Sequence, residues 1–363
     1  METHLQALCA GLRNDVDLRV VVSNDDRNSL EETIDSVPVT RLGTLLSAFS
    51  TSISPGMAAQ IRNSRADLVH IHLPNPTAVL AYLTSGYRGG LVVTYHSDIV
   101  RQKVLGRLFE PLLYAALRRS AAIIATSPNY LATSPVLQAF RDRCHVIPYG
   151  IDTSQFEQRD PSEVTRIRAQ FGDRLVLSVG RLVYYKGLEY LIRAMADVRG
   201  TLVIVGDGPL RGKLERLAAQ LGLAEKVIFA GVIDNAALVS HYHAAALFVL
   251  ASVARSEAFG LVQIEAMAAG LPVVNTSLDS GVPLVSVHEQ TGLTVPPADP
   301  QALAAAINRL LDDSNLRQKF GQAGVLRARR EFSLDTMLQR TQQLYRNLQR
   351  DRNLQRDRKL QRL

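Results

Sequence analysis

The stretch LVLSVGRLVYYKGLEYLIRAMADVRGTLVIVGD, residues 175–207, decides the fold. It opens on LVLSVGR (175–181), apolar at successive positions, as a strand buried on both faces must be. Two glycine–cation pairs follow, Gly180-Arg181 and Lys186-Gly187. Next, LEYLIRAMADV (188–198) spaces its apolar residues three and four apart, which is the period of a helix with one buried stripe. TLVIVGD (201–207) is again a continuous apolar strand. Strand, loop, helix and strand in that order make one parallel βαβ unit.

The pattern extends both ways. Upstream, strands are expected at LRVVVS (18–23), DLVHIHL (67–73), LVVTYHS (91–97), AAIIATS (121–127) and HVIPYG (145–150). Downstream they are expected at KVIFAG (226–231), ALFVLAS (246–252) and PVVNTS (272–277), with a helix at KLERLAAQLGL (213–223). A chain of 363 residues exceeds one ordinary core. The polar run DTSQFEQRDPSEV (152–164) reads as the linker. The expectation is an α/β protein of two doubly wound, Rossmann-like domains facing a cleft. The first spans 1–151 and the second 165–332, followed by a helix at 333–346 and a basic repeat tail at 347–363.

Composition removes several classes. No uninterrupted run of about 18 apolar residues occurs, so no membrane-spanning helix is expected. METHLQAL lacks the basic and apolar segments of a signal peptide. Cys9 and Cys144 are too far apart to read as a metal or disulfide framework, which fits a cytoplasmic protein. Trp is absent, and the net charge of +7 is concentrated at one end. From Arg346 onward seven Lys/Arg oppose two Asp, leaving a net of only +2 on the preceding 345 residues. That is a basic tail, not a face that reads nucleic acid. Within it NLQRDR occurs at 347–352 and again at 353–358. Leucines six apart turn about 120° on a helix and build no stripe, so a solvated helix is expected. Contact with anionic lipid at the inner face of the plasma membrane is the sharper alternative.

Chemistry concentrates at Ser252–Val274. Glu257 and Glu265 stand eight apart around Phe259-Gly260-Leu261, a turn expected to open a helix. Eight helical residues rise about 12 Å, beyond the roughly 5–9.5 Å between glycosidase carboxylates. The span suits one elongated ligand held at both ends, with backbone N–H groups of Phe259, Gly260 and Leu261 facing phosphates between them. Arg181 and Lys186 follow a strand at the edge where parallel sheets bind ligands, and can neutralise a departing diphosphate without a metal. Ordinary surface charge is the competing reading. Gly206-Asp207-Gly208-Pro209 imitates half of a dinucleotide fingerprint, but Gly212 falls one residue late.

Taken together, SVGRL (178–182), KG (186–187), VGDGP (205–209), SEAFGLVQIEAMAAGLPVV (256–274) and TGLTVPP (291–297) closely resemble glycosyltransferase family 4, the group 1 glycosyltransferases of GT-B fold. The resemblance covers nearly the whole chain. It implies a retaining hexosyltransferase reaction with a UDP-, GDP- or ADP-sugar donor and no cofactor or metal. Attack and departure take place on one face, with the donor phosphate taking the acceptor proton. It implies that Glu257 contacts the donor sugar and Glu265 the ribose, while Arg181 and Lys186 hold the diphosphate. Gly180, Gly208 and the Phe259-Gly260-Leu261 turn complete the donor site. The N-terminal half resembles the acceptor domain, for a glycan or lipid-linked acceptor in surface polysaccharide or lipopolysaccharide assembly. His96 there matches a histidine near the reaction centre, against the plainer reading of a satisfied loop histidine.

Departures from the pattern are confined to a few places. Met1-Glu2-Thr3-His4 resembles the start of the family's first helix, so the usual first strand and glycine-rich loop are absent from this sequence. The N-terminal sheet is therefore expected to show either a gap at that position or a rearranged pairing, with edges of LRVVVS and LVVTYHS exposed. Tyr149 stands where Asn is commoner, and Ser286-Val287-His288 replaces an acidic stretch. A nucleotide-sugar 2-epimerase of the same fold, or an inactive binding protein, are the rival functions. His70 with His72 alternate on one strand face as a metal pair might, but no third ligand has diagnostic spacing. His241 with His243, and Asp15-Val16-Asp17, are weaker metal motifs still.

Overall fold

The computed structural model describes residues 2–48, 51–96 and 103–360. The end of the strand expected over 91–97 and the last residues of the tail lie outside that set. The chain divides into two units, residues 1–149 with 334–363, and residues 150–333. A single helix, Leu334–Leu360, returns to the first unit.

In the first unit the strands are β1 (Val20–Ser23), β2 (Leu30–Ile34), β3 (Val37–Leu42), β4 (Leu46–Ala48), β5 (Thr51–Ile53), β6 (Leu68–Leu73), β7 (Gly90–Tyr95), β8 (Ala122–Ala125) and β9 (Cys144–Val146). They form a parallel sheet β6-β7-β8-β9, a sheet β1-β3-β2 and the pair β4-β5. LRVVVS (β1) pairs with β3, apart from the other strands expected from sequence, but the open edge expected at LVVTYHS is not there. β7 pairs β6 in register from Leu68↔Gly90 to Leu73↔Tyr95 and pairs β8 on its other side, so β6 is the edge strand. The parallel sheet carries a core on each face, because alternate residues point opposite ways. Leu91, Val93, Ile123 and Ala125 join one core. Val92, Ala122 and Ile124 join the other, with Leu8 and Leu12 of the helix Glu2–Leu12 and Met337 and Leu344 of the returning helix.

That last helix runs on through the first NLQRDR copy, so residues 346/347 are not an element boundary. Leu348 packs against the core that holds Leu344, one turn away, and Gln349 Nε2 donates to Asp67 Oδ2 at 3.3 Å. Leucines 344 and 348 are four apart and share a face, whereas only the six-residue spacing within the repeat was weighed from sequence.

In the second unit the strands are β10 (Leu175–Val179), β11 (Thr201–Val205), β12 (Val227–Gly231), β13 (Leu247–Leu250), β14 (Val273–Thr276) and β15 (Gly292–Val295). They form one sheet in the order β12-β11-β10-β13-β14-β15, and every pairing is parallel. Numbered within the unit this is 3-2-1-4-5-6, the doubly wound order. The expected linker over 152–164 is part of this unit: Phe156 is buried against Tyr242, and Glu157 pairs with Arg329. Several helices in both units open on an Asn, Ser or Asp cap followed by proline. The pairs are Asn75-Pro76, Ser127-Pro128, Ser134-Pro135, Asp160-Pro161 and Asp299-Pro300. Each cap oxygen takes an orphan N–H, and each proline sits where no helical N–H is needed.

Candidate active site

The winding of the second sheet reverses between β10 and β13, and ligands of doubly wound sheets bind beyond the carboxyl ends of the strands at such a reversal. Gly180, Arg181 and Lys186 follow β10 there, and Ser252 to Glu257 follow β13. A short 3-10 turn, Tyr184–Lys186, ends on Gly187 at φ 64°. A Cβ at Gly187 would overlap the Ala251 carbonyl oxygen, so glycine lets the two loops meet. Val253 N–H then donates to the Tyr185 carbonyl at 2.8 Å.

The consequence is an ion pair. Lys186 Nζ lies 2.7 Å from Glu257 Oε2, with the two side chains 12% and 10% exposed. The Ser252 hydroxyl donates to the same oxygen at 3.0 Å. Glu265 sits on the helix Val262–Ala268, and its Oε2 accepts from the Tyr242 hydroxyl at 2.8 Å. Burial raises the Glu265 pKa, while the Tyr242 hydrogen bond and the charge of Lys186 pull it back. Glu257 and Glu265 each keep one carboxylate oxygen without a partner among the described residues.

Glu257 and Glu265 are not on one helix, so the 12 Å helical rise does not apply to them. Gly260 at φ 75° separates Glu257, in a loop, from the helix that carries Glu265. The Phe259 ring is buried against Phe332 at 5.8 Å, leaving only its backbone to face a ligand. That turn is fixed from beneath: Gln263 Nε2 donates to the Phe259 carbonyl at 3.2 Å, and Asn275 Nδ2 donates to Gln263 Oε1 at 2.9 Å. Gly180 lies beside the Lys186 ammonium, and Gly208 packs on the Leu182 backbone. Leu261 is half-buried just before the helix. The Arg181 side chain is exposed and makes no bond to a described residue.

Tyr242, Ser252, Gln263 and Asn275 were not singled out from sequence. Tyr242 lies between His241 and His243, in a segment whose sequence suggests only a weak metal motif. Those histidines bond elsewhere, His241 Nδ1 to the Ala237 carbonyl and His243 Nε2 to that of Phe156.

His96 belongs to the first unit and is buried. Its Nε2 is 2.9 Å from His72 Nδ1, and its Nδ1 contacts the Tyr149 hydroxyl. Either direction of this chain satisfies both contacts, so both ring nitrogens are taken. His70 is engaged too, by the Tyr345 hydroxyl at 2.5 Å and the Thr94 hydroxyl at 2.7 Å. Its ring stacks on His72 with centroids 4.5 Å apart, and His4 approaches His96 edge-on at 5.6 Å. Burial lowers all four, His4 to about 4 and His72 to about 3, and neighbouring imidazoles lower His70, His72 and His96 further.

Two family profiles tile the chain: the one described as Glycosyltransferase Family 4 matches residues 1–155, and Glycosyl transferases group 1 matches 163–327. D-rhamnosyltransferase WbpZ of Pseudomonas aeruginosa is 36% identical over 78% of this chain and 75% of its own length. O-antigen chain mannosyltransferase C of Escherichia coli is 34% identical over 78% and 76%. Among solved structures, sucrose-phosphate synthase from Thermosynechococcus elongatus superimposes with a TM-score of 0.80 at 27% identity, over 95% of this chain and 92% of that one. The chain belongs to glycosyltransferase family 4, the group 1 glycosyltransferases, and is an enzyme of that class with the two-unit GT-B fold.

Proposed function

We propose that this glycosyltransferase is retaining and metal-independent, moving a sugar from a nucleotide diphosphate donor onto a glycan or lipid-linked acceptor. The carrying observation is the buried Lys186–Glu257 ion pair at 2.7 Å where the sheet reverses. Free carboxylate oxygens at Glu257 and Glu265 suit the hydroxyls of a sugar and a ribose. Lys186 and the exposed Arg181 supply positive charge for the diphosphate between them, and that charge is worth most when the leaving group departs. The donor phosphate, freed on the face where the acceptor hydroxyl attacks, takes its proton. His96 enters this reading near the acceptor and would reach a sugar hydroxyl by releasing His72 or Tyr149.

Relatives named for rhamnosyl transfer and O-antigen chain mannosyl transfer support a place in surface polysaccharide or lipopolysaccharide assembly. Among the described residues no helix is long and apolar enough to cross a membrane. The test is turnover of UDP-, GDP- and ADP-sugars in EDTA, with the product anomer read by NMR. Release of one nucleoside diphosphate with retained configuration is expected. Activity lost in EDTA and restored by manganese or magnesium would overturn metal independence, and an inverted anomer would overturn retention.

A further inference from the structure

Tyr242 lies on the helix Asn235–Ala244 and is fully buried. Its ring is held by Phe156 at 5.9 Å and Phe248 at 6.0 Å. Phenylalanine would fill that space equally well, so packing does not account for the hydroxyl. A buried hydroxyl needs a partner, and this one donates to Glu265 Oε2 at 2.8 Å.

We propose that Tyr242 is a positioning residue of the donor site: its hydroxyl pins one oxygen of Glu265 and presents the other, ionised, to the donor's ribose diol. This rests on the reading that Glu265 takes the ribose. Burial alone favours the neutral acid, whose added proton would occupy part of the acceptor capacity that a diol needs. The groups that act against burial are Tyr242, from the neighbouring helix, and Lys186, from the loop after β10. Without the hydroxyl Glu265 protonates at higher pH and its carboxylate is free to rotate.

The experiment measures the affinity of the full chain for UDP, GDP and ADP between pH 5.5 and 8.5. It compares the wild type with Tyr242→Phe, Glu265→Gln and the double variant. Tyr242→Phe is expected to weaken nucleotide binding about tenfold at neutral pH, the size of one hydrogen bond to a charged group. The pH below which binding fails should move upward, with kcat at saturating donor changing far less than KM. In the Glu265→Gln background, which has no carboxylate to align or titrate, the same change should add little. An equal further loss in both backgrounds would make Tyr242 a structural residue only. Unchanged affinity and pH profile in Tyr242→Phe, with Glu265→Gln still impaired, would also overturn the proposal while leaving the ribose reading intact. Wild-type affinity in Glu265→Gln would instead remove Glu265 from the site.

Discussion

Lys186 serves two partners: the Glu257 carboxylate at 2.7 Å, and in the proposed reaction a diphosphate. Arg181 has no side-chain partner among the described residues, and the two cations should therefore fail differently. Each alanine variant is expected to lower turnover by about 10²–10³, the effect of one lost charge-stabilising group. Lys186→Ala also strands a buried carboxylate, which costs about 3–5 kcal/mol. Arg181→Ala, being exposed, should leave stability within about 0.5 kcal/mol. Thermal unfolding separates them, and Lys186→Ala with Glu257→Gln should recover stability without recovering turnover. A Lys186→Ala protein as stable as the wild type would mean that the ion pair does not hold the loops together. At this scale Glu257, Arg181 and Lys186 stand out in the sequence as charged residues beside glycine turns, and Glu265 as an acid in the first turn of the helix that follows one. Tyr242 and Ser252 were not, since a hydroxyl in an apolar segment acquires meaning only when the fold brings a carboxylate to it.

Among elements, the histidine row along β6 is expected to make the first unit sensitive to pH. His70 and His72 point to the side where His4 and His96 also lie, and Tyr149 and Tyr345 cap the row with hydroxyls. Burial holds these imidazoles neutral, with folded pKa values below their ordinary 6.5. The unfolded chain then binds more protons below that value. Stability from the row is fully present above about pH 6.5 and is lost as the pH falls towards the folded values. At pH 5 the loss is about 2 kcal/mol for one such histidine, and the protons enter as steps of the group rather than of single residues. Urea midpoints of the first unit should fall between pH 7.5 and 5, and a flat profile would contradict the neutral row. The apolar strands were readable from composition. The hairpin β2–β3 was not: its two-residue turn, Asp35-Ser36, holds both residues at positive φ. That turn type usually announces itself with glycine, and Ser36 conceals it. β15 escaped similarly, because Gly292 and Thr294 dilute its apolar run.

At the scale of the whole molecule, every proposed donor group lies in residues 150–333 and His96 lies in the other unit. Changes to the two should be separable. His96→Gln is expected to lower turnover roughly tenfold to a hundredfold, as one lost polar contact would, and to leave nucleotide affinity within about twofold. Calorimetry with nucleoside diphosphate alongside turnover decides it, and a matching loss of nucleotide affinity would contradict the division. The parallel strands of the second sheet were readable as one βαβ unit repeated. The closure of the first unit by the helix Leu334–Leu360 did not, because contacts so distant in sequence leave no local pattern. That helix also imposes a timetable on synthesis. Leu12 shares a core with Met337 and Leu344, so this core cannot close until nearly the whole chain has been made. At 5–20 residues per second the wait is roughly 15–65 s. The second unit, contiguous in sequence, is under no such delay and is free to fold first.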